Sequence, residues 1–110
     1  MTLTIHKITI APHNEETLQR VLDYLNQFTE YDTFEISEYE ENAIVSESVK
    51  WYKLEQDIRS LSREFPDILI TVHGEGEENG DIWEFYCKNQ RGYEQKAIIS
   101  FPEFDETRMK

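Results

Sequence analysis

The stretch WYKLEQDIRSLSREFPDILITV, residues 51–72, decides the fold. Within it Trp51, Leu54, Ile58, Leu61 and Phe65 recur in steps of 3, 4, 3 and 4. That spacing puts them on one apolar stripe of an α-helix. The opposite face carries Lys53, Gln56, Asp57, Ser60, Arg63 and Glu64, a polar mixture that suits water. Pro66 closes the helix, and Ser48 is a candidate N-cap, so a helix is expected over 50–64. The period then changes. Residues 68–72, Ile-Leu-Ile-Thr-Val, form a short apolar run of the kind found in a central strand.

Upstream, Leu3 to Ile10 is rich in β-branched residues and reads as a first strand. Its apolar set changes parity between Ile5 and Ile8, which predicts a bulge or a central strand with both faces partly buried. Asn14-Glu15-Glu16 is a helix start, with an N-cap side chain followed by two acids at the positive end of the helix dipole. Leu18, Val21, Leu22, Leu25 and Phe28 then mark one face of a helix over 15–28. Phe34 and Ile36 alternate with polar residues, 39–42 has turn composition, and Ala43-Ile44-Val45 starts a return strand, so 33–46 reads as a hairpin.

Downstream, His73 to Gly80 reads as a loop, Asp81 to Cys87 as a strand, Asn89 to Gly92 as a turn, and Tyr93 to Phe101 as a last strand. On that last strand Tyr93, Gln95, Ala97, Ile99 and Phe101 would share a face. Residues 102–110 read as a frayed acidic tail after a single α+β domain over 1–101. The order is β-α-β-β-α-β with a C-terminal β-hairpin extension. Its first six elements match a ferredoxin-like split βαβ pattern, two helices on one face of an antiparallel sheet.

The formal net charge is −12, and it is not spread evenly. Segment 30–47 holds seven acids and segment 74–87 holds five, with no Lys or Arg in either. Twelve acids in two tracts account for the whole imbalance, and clustered charge makes a field that a basic partner can feel. It also repels the phosphates of nucleic acid and the surface of acidic membranes. The lone Cys87 excludes an intramolecular disulfide and fits a reducing compartment. No apolar run approaches the ~20 residues of a membrane span, and residues 1–7 lack the features of a signal peptide. A cytoplasmic location is expected.

No constellation marks an enzyme. The Gly-rich loop 73–80 precedes a strand and carries three carboxylates, so it would repel a phosphate rather than cradle it. Its acids lack the spacing of an EF-hand, although a weak divalent-metal-binding module stays open. His6, His13 and His73 are scattered, and Cys87 reads as a small buried residue rather than a nucleophile. Trp83 and Phe85 share one strand face, which is either core or an interface patch on the face the helices leave bare.

Residues 48–88 carry a recognisable pattern: Ser48-Val-Lys-Trp-Tyr, Ser62-x-x-Phe-Pro-Asp, His73-Gly-Glu-Gly-Glu-Glu-x-Gly-Asp-x-Trp and Tyr86. It resembles a segment of small phage and prophage proteins and is similar to the ferredoxin-like domain of Api92-like proteins. The resemblance implies that fold and a mobile-element origin, and it implies no catalytic residues. Tract 30–47 lies outside it.

Together these features suggest a small acidic, non-catalytic interaction protein without a cofactor. Its expected partner is a basic host protein: a nucleic-acid-binding defence enzyme of the CRISPR or restriction type, inhibited by carboxylates that take the place of phosphates. The candidate partner-binding residues are Glu35, Glu38, Glu40, Glu41, Glu75, Glu77, Glu78, Asp81 and Trp83. The alternative is an accessory ferredoxin-like domain whose acidity serves solubility; on either reading the chain is expected to be a monomer or a homodimer. In a ferredoxin-like sheet the two tracts would sit about 14 Å apart across the strands and at opposite ends, so they need not form one patch.

Overall fold

The computed structural model describes residues 4–28, 34–37, 43–46, 50–76, 80–98 and 101–110. The elements are β1 (Thr4–Ala11), α1 (Glu15–Phe28), β2 (Glu35–Ile36), β3 (Ala43–Val45), α2 (Leu54–Glu64), β4 (Leu69–Gly76), β5 (Ile82–Lys88) and β6 (Arg91–Lys96). All six strands join one antiparallel sheet in the order β2-β3-β1-β4-β5-β6. The core lies between this sheet and the two helices, with Ile8, Ile44, Ile70, Val72 and Phe85 from strands meeting Val21, Leu25, Ile58 and Leu61 from helices.

β1 pairs with β4 in unbroken register from Thr4↔Gly76 to Ala11↔Leu69, so it contains no bulge. The parity change has another cause. Thr4, His6, Ile8 and Ile10 are the buried set, and Ile5 faces out. A histidine holds a core position that an aliphatic residue would ordinarily fill.

α1 begins as its sequence dictates. The Asn14 side-chain oxygen accepts from the Thr17 N–H at 2.9 Å, which satisfies one of the orphan donors of the first turn. Asn14→Ala is expected to cost about 1 kcal/mol in chemical denaturation, the usual worth of such a cap. Leu18, Val21 and Leu25 are buried, but Phe28 is exposed, its ring tilted against that of Tyr24 with centroids 4.7 Å apart.

α2 starts at Leu54 with Lys53 at its N-cap, later than expected, and has no side-chain cap. Ser48 lies outside the described residues. Trp51 is therefore not on the helix, yet its side chain is fully buried. Its indole N–H donates to Asp57 Oδ2 at 2.8 Å, tying the lead-in segment to the helix. Leu54, Ile58 and Leu61 face the sheet as the stripe predicts, and Phe65, just past the helix, packs against the core edge.

β4 is longer than the apolar run. It continues through His73-Gly74-Glu75-Gly76, which is strand and not loop. Its burial alternates, with Ile70, Val72 and Gly74 inward and Leu69 and Glu75 exposed, so only one face is covered. β5 and β6 form a tight hairpin whose turn residues Asn89 and Gln90 both have positive φ, 49° and 67°. That backbone matches the twist of the flanking strands. Gln90 gains no ease from being a glycine, and α2 holds it in place. Its N–H donates to Ser62 Oγ at 2.7 Å, and its carbonyl accepts from the Arg59 guanidinium at 2.7 Å. Cys87 is buried against the same Ser62 hydroxyl.

β6 ends at Lys96 rather than reaching Phe101. Ile98 and Phe101 are each 92% exposed, so the expected apolar face does not continue, and Ile99 lies outside the described residues. Beyond it, residues 101–110 are all exposed, and Glu106–Arg108 form one 3-10 turn, where Asp105 accepts from the Thr107 N–H. No helix of the described residues is long and apolar enough to cross a membrane.

Candidate functional site

With both helices on one side, no helix of the described residues lies over the other side of the sheet. Strand alternation decides what it presents. Glu35, Val45, Lys7, His73, Glu84 and Gln95 form one row across all six strands, each opposite the next in register. The next row toward the β4–β5 end brings Ile5, Glu75 and Ile82 together. The next row the other way pairs Tyr86 with Tyr93, ring centroids 5.3 Å apart. Ile5, Ile82 and Tyr93 are exposed.

A small network fixes the carboxylates of this face. His73 Nδ1 lies 3.2 Å from Glu84 Oε2, and His73 Nε2 lies 3.1 Å from Glu75 Oε1. The Tyr86 hydroxyl donates to Glu84 Oε1 at 2.6 Å. That bond, with help from His73, holds the Glu84 carboxyl below its usual pKa, and it raises the Tyr86 phenol above its own. Glu84 is thus ionised and oriented. The two ring nitrogens of His73 point to different carboxylates, so these three groups do not converge on one point. Among the described residues no three of His, Cys, Asp and Glu are grouped to hold a metal ion.

The expected site residues divide between the two faces. Glu35 and Glu75 lie on the uncovered face, as reasoned above from register. Asp81 and Trp83 do not. Trp83 and Phe85 point to the helix side, where Phe85 is core and Trp83 packs against it. This overturns the reading of that pair as a patch on the bare face: Ile82, Glu84 and Tyr86 take the outward positions, and Trp83, Phe85 and Cys87 the inward ones. Glu38, Glu40, Glu41, Glu77 and Glu78 lie outside the described residues. The strand ends that flank the two tracts are far apart. Ala43 sits beside Thr9 and Gly76 beside Thr4, five residues away along β1, or roughly 16 Å.

Sequence reasoning missed Glu84, Tyr86 and His73 as members of the face. The signal was present in the alternation of 82–87, which the aromatic pair Trp83 and Phe85 obscured.

A second feature lies on the helix side. Between the segment leading into α2 and the ends of β1, β5 and β6 is a cavity of about 640 Å³. His6 and Trp51 form its floor, and Trp83 and Phe85 its sheet wall. His6 is 1% exposed. Its backbone N–H donates to Ser46 Oγ at 3.3 Å, and its Nδ1 lies 3.1 Å from the same oxygen. The rings of Trp51 and Trp83 meet it edge-on, at centroid distances of 5.3 and 5.8 Å. Burial pushes the imidazole down to about 4, so it is neutral at physiological pH.

No protein family, curated protein or solved structure matches the chain.

Proposed function

We propose that this chain is an acidic, non-catalytic interaction protein whose uncovered sheet face docks on a basic surface of a nucleic-acid-binding protein. The observation that carries the reading is the composition of that face. Three carboxylates, Glu35, Glu75 and Glu84, lie on it with Lys7; exposed Ile5 and Ile82 share a row with Glu75, and exposed Tyr93 stands two rows away beside Tyr86. Apolar contact area ringed by charge is the anatomy of a protein interface, and charge of one sign selects a partner of the other. Lys88 and Arg91 sit at the far end of the β5–β6 hairpin, so the face is polarised and would orient a basic partner over the acidic end. Oriented carboxylates can stand where phosphates stand, opposite Lys and Arg.

The sheet order β2-β3-β1-β4 supports a ferredoxin-like unit extended by the β5–β6 hairpin. With the resemblance of residues 48–88 to phage proteins, the partner class becomes a host defence nuclease, inhibited by occupation of its nucleic-acid channel.

The test is DNA cleavage by purified CRISPR and restriction nucleases in the presence of the protein. Inhibition is expected, and it should fade as salt rises, because the screening length falls from about 10 Å at 0.1 M to about 3 Å at 1 M. The triple variant Glu35→Lys, Glu75→Lys, Glu84→Lys should abolish it. Equal inhibition by parent and triple variant, or none by either, removes the proposal.

A further inference from the structure

We infer that the cavity over His6 is a binding site for a neutral planar nitrogen heterocycle of nucleobase or nucleoside size. This site is separate from the sheet face and lies on the opposite side of the sheet.

The site is built by residues far apart in sequence. Trp51 comes from the lead-in to α2, His6 from β1, and Trp83 from β5. Two glycines of β4 make the sheet wall possible. A Cβ on Gly74 would lie 2.2 Å from the Trp83 ring, so only glycine lets that indole lie flat across the strand. A Cβ on Gly76 would run into the Asp81 carboxylate, which also lines the cavity. The two glycines that read as loop residues in the sequence thus make room for a tryptophan and a carboxylate at one opening.

The chemistry of the lining selects the ligand. Ser46 Oγ lies within hydrogen-bond distance of both the His6 backbone N–H and Nδ1, so Nδ1 is engaged. Among the described residues no hydrogen bond is made to Nε2. A buried polar atom without a partner is costly, and a ligand group would satisfy it: an acceptor where Nε2 carries the ring proton, a donor where Nδ1 does. Burial disfavours the charged ring, so a neutral ring nitrogen, carbonyl or amino group suits it better than a carboxylate or phosphate.

Around the opening stand Glu55, Asp81 and Glu94 with Lys53 and Lys96. Carboxylates there can accept from an exocyclic amino group, while the acidic balance disfavours a phosphate. An uncharged imidazole at the floor, acceptors at the rim and aromatic rings between them fit the mixed edge and flat faces of a nucleobase. The volume lies within the roughly 300–1,000 Å³ of small-molecule sites.

The probe is adenosine, with AMP and choline as comparators, followed by the indole N–H resonances of Trp51 and Trp83 and the ring resonances of His6. Adenosine is expected to shift all three saturably, with AMP no tighter. Trp83→Ala should weaken adenosine by about tenfold, the loss expected for one stacking partner, and Trp83→Phe should restore most of it. Trp83 is only partly buried, and unchanged circular dichroism will show that the variant folds. The triple charge reversal on the sheet face should leave adenosine binding as it is, which separates this site from the docking reading. The inference is overturned if adenosine shifts none of these resonances, if the shifts survive in Trp83→Ala, or if choline competes with adenosine.

Discussion

Replacing Trp51 by Ala should remove about 3–5 kcal/mol of stability, whereas Tyr52→Ala next to it should change stability by less than about 0.5 kcal/mol. The contrast follows from burial: Trp51 is 0% exposed and Tyr52 67%. Trp51 packs edge-on against His6 and Phe34, with centroids 5.3 and 5.1 Å away, and bonds Asp57. Removing it opens a large cavity and strands a partly buried carboxylate. Trp51→Phe keeps most of the packing and should cost about 1 kcal/mol for the lost hydrogen bond, with the repacking of a smaller ring in addition. Chemical denaturation of the three variants checks the order. On the same scale Ile58→Ala, in the middle of α2, should cost about 2–5 kcal/mol. A loss below about half a kcal/mol would mean that the helix stripe does not form the core.

Acid should destabilise the fold through His6. Its folded pKa is about 4 against an ordinary value of 6.5, so between these limits the unfolded chain binds the proton and the native chain does not. Stability from this group is fully present above pH 6.5 and is lost as pH falls toward 4. The slope is at most about 1.4 kcal/mol per pH unit, and the whole loss about 3 kcal/mol. The carboxylates and lysines around the same cavity, Glu55, Asp81, Glu94, Lys53 and Lys96, also bear on the ring, and the excess acids elsewhere repel one another less as they protonate. Comparison with His6→Leu cancels these common terms. Denaturation midpoints of the parent should fall from pH 7 to pH 4.5 more steeply than those of His6→Leu. Parallel curves would show that His6 does not titrate as a buried group.

The two helices and the hairpins were legible because their signals are local. Asn14 caps where its side chain predicts, and Leu54, Ile58 and Leu61 point where their spacing sends them. What the sequence hid was tertiary. Trp51 continues the helical spacing by coincidence and reaches the core from a non-helical segment. Glycines 74 and 76 read as loop residues, but in β4 they make room for side chains of β5 and the loop before it. His6 breaks the parity of β1 because a polar ring, paired to Ser46, sits where an aliphatic residue would keep the pattern. Of the candidate site, Glu35 and Glu75 were found from charge alone. Trp83 was noticed for its aromaticity; the alternation of 82–87 puts it on the face of Phe85, and only the packing of Phe85 in the core decides that this face is the covered one.

The place of β1 in the sheet bears on the order of assembly. Among the described residues it is the strand that joins β2-β3 to β4-β5-β6, and its partners are residues 43–45 and 69–76. During synthesis β1 therefore waits. It can gain one neighbour once residues 43–45 have been made, and the other only once residues 69–76 have. Until then Ile8 and Ile10 belong to a strand with an open edge, the state most prone to pair with the wrong chain. The β5–β6 hairpin, by contrast, closes across two residues and needs nothing from the N-terminal half to find its register. That exposure of β1 ends only when β4 pairs along its whole length.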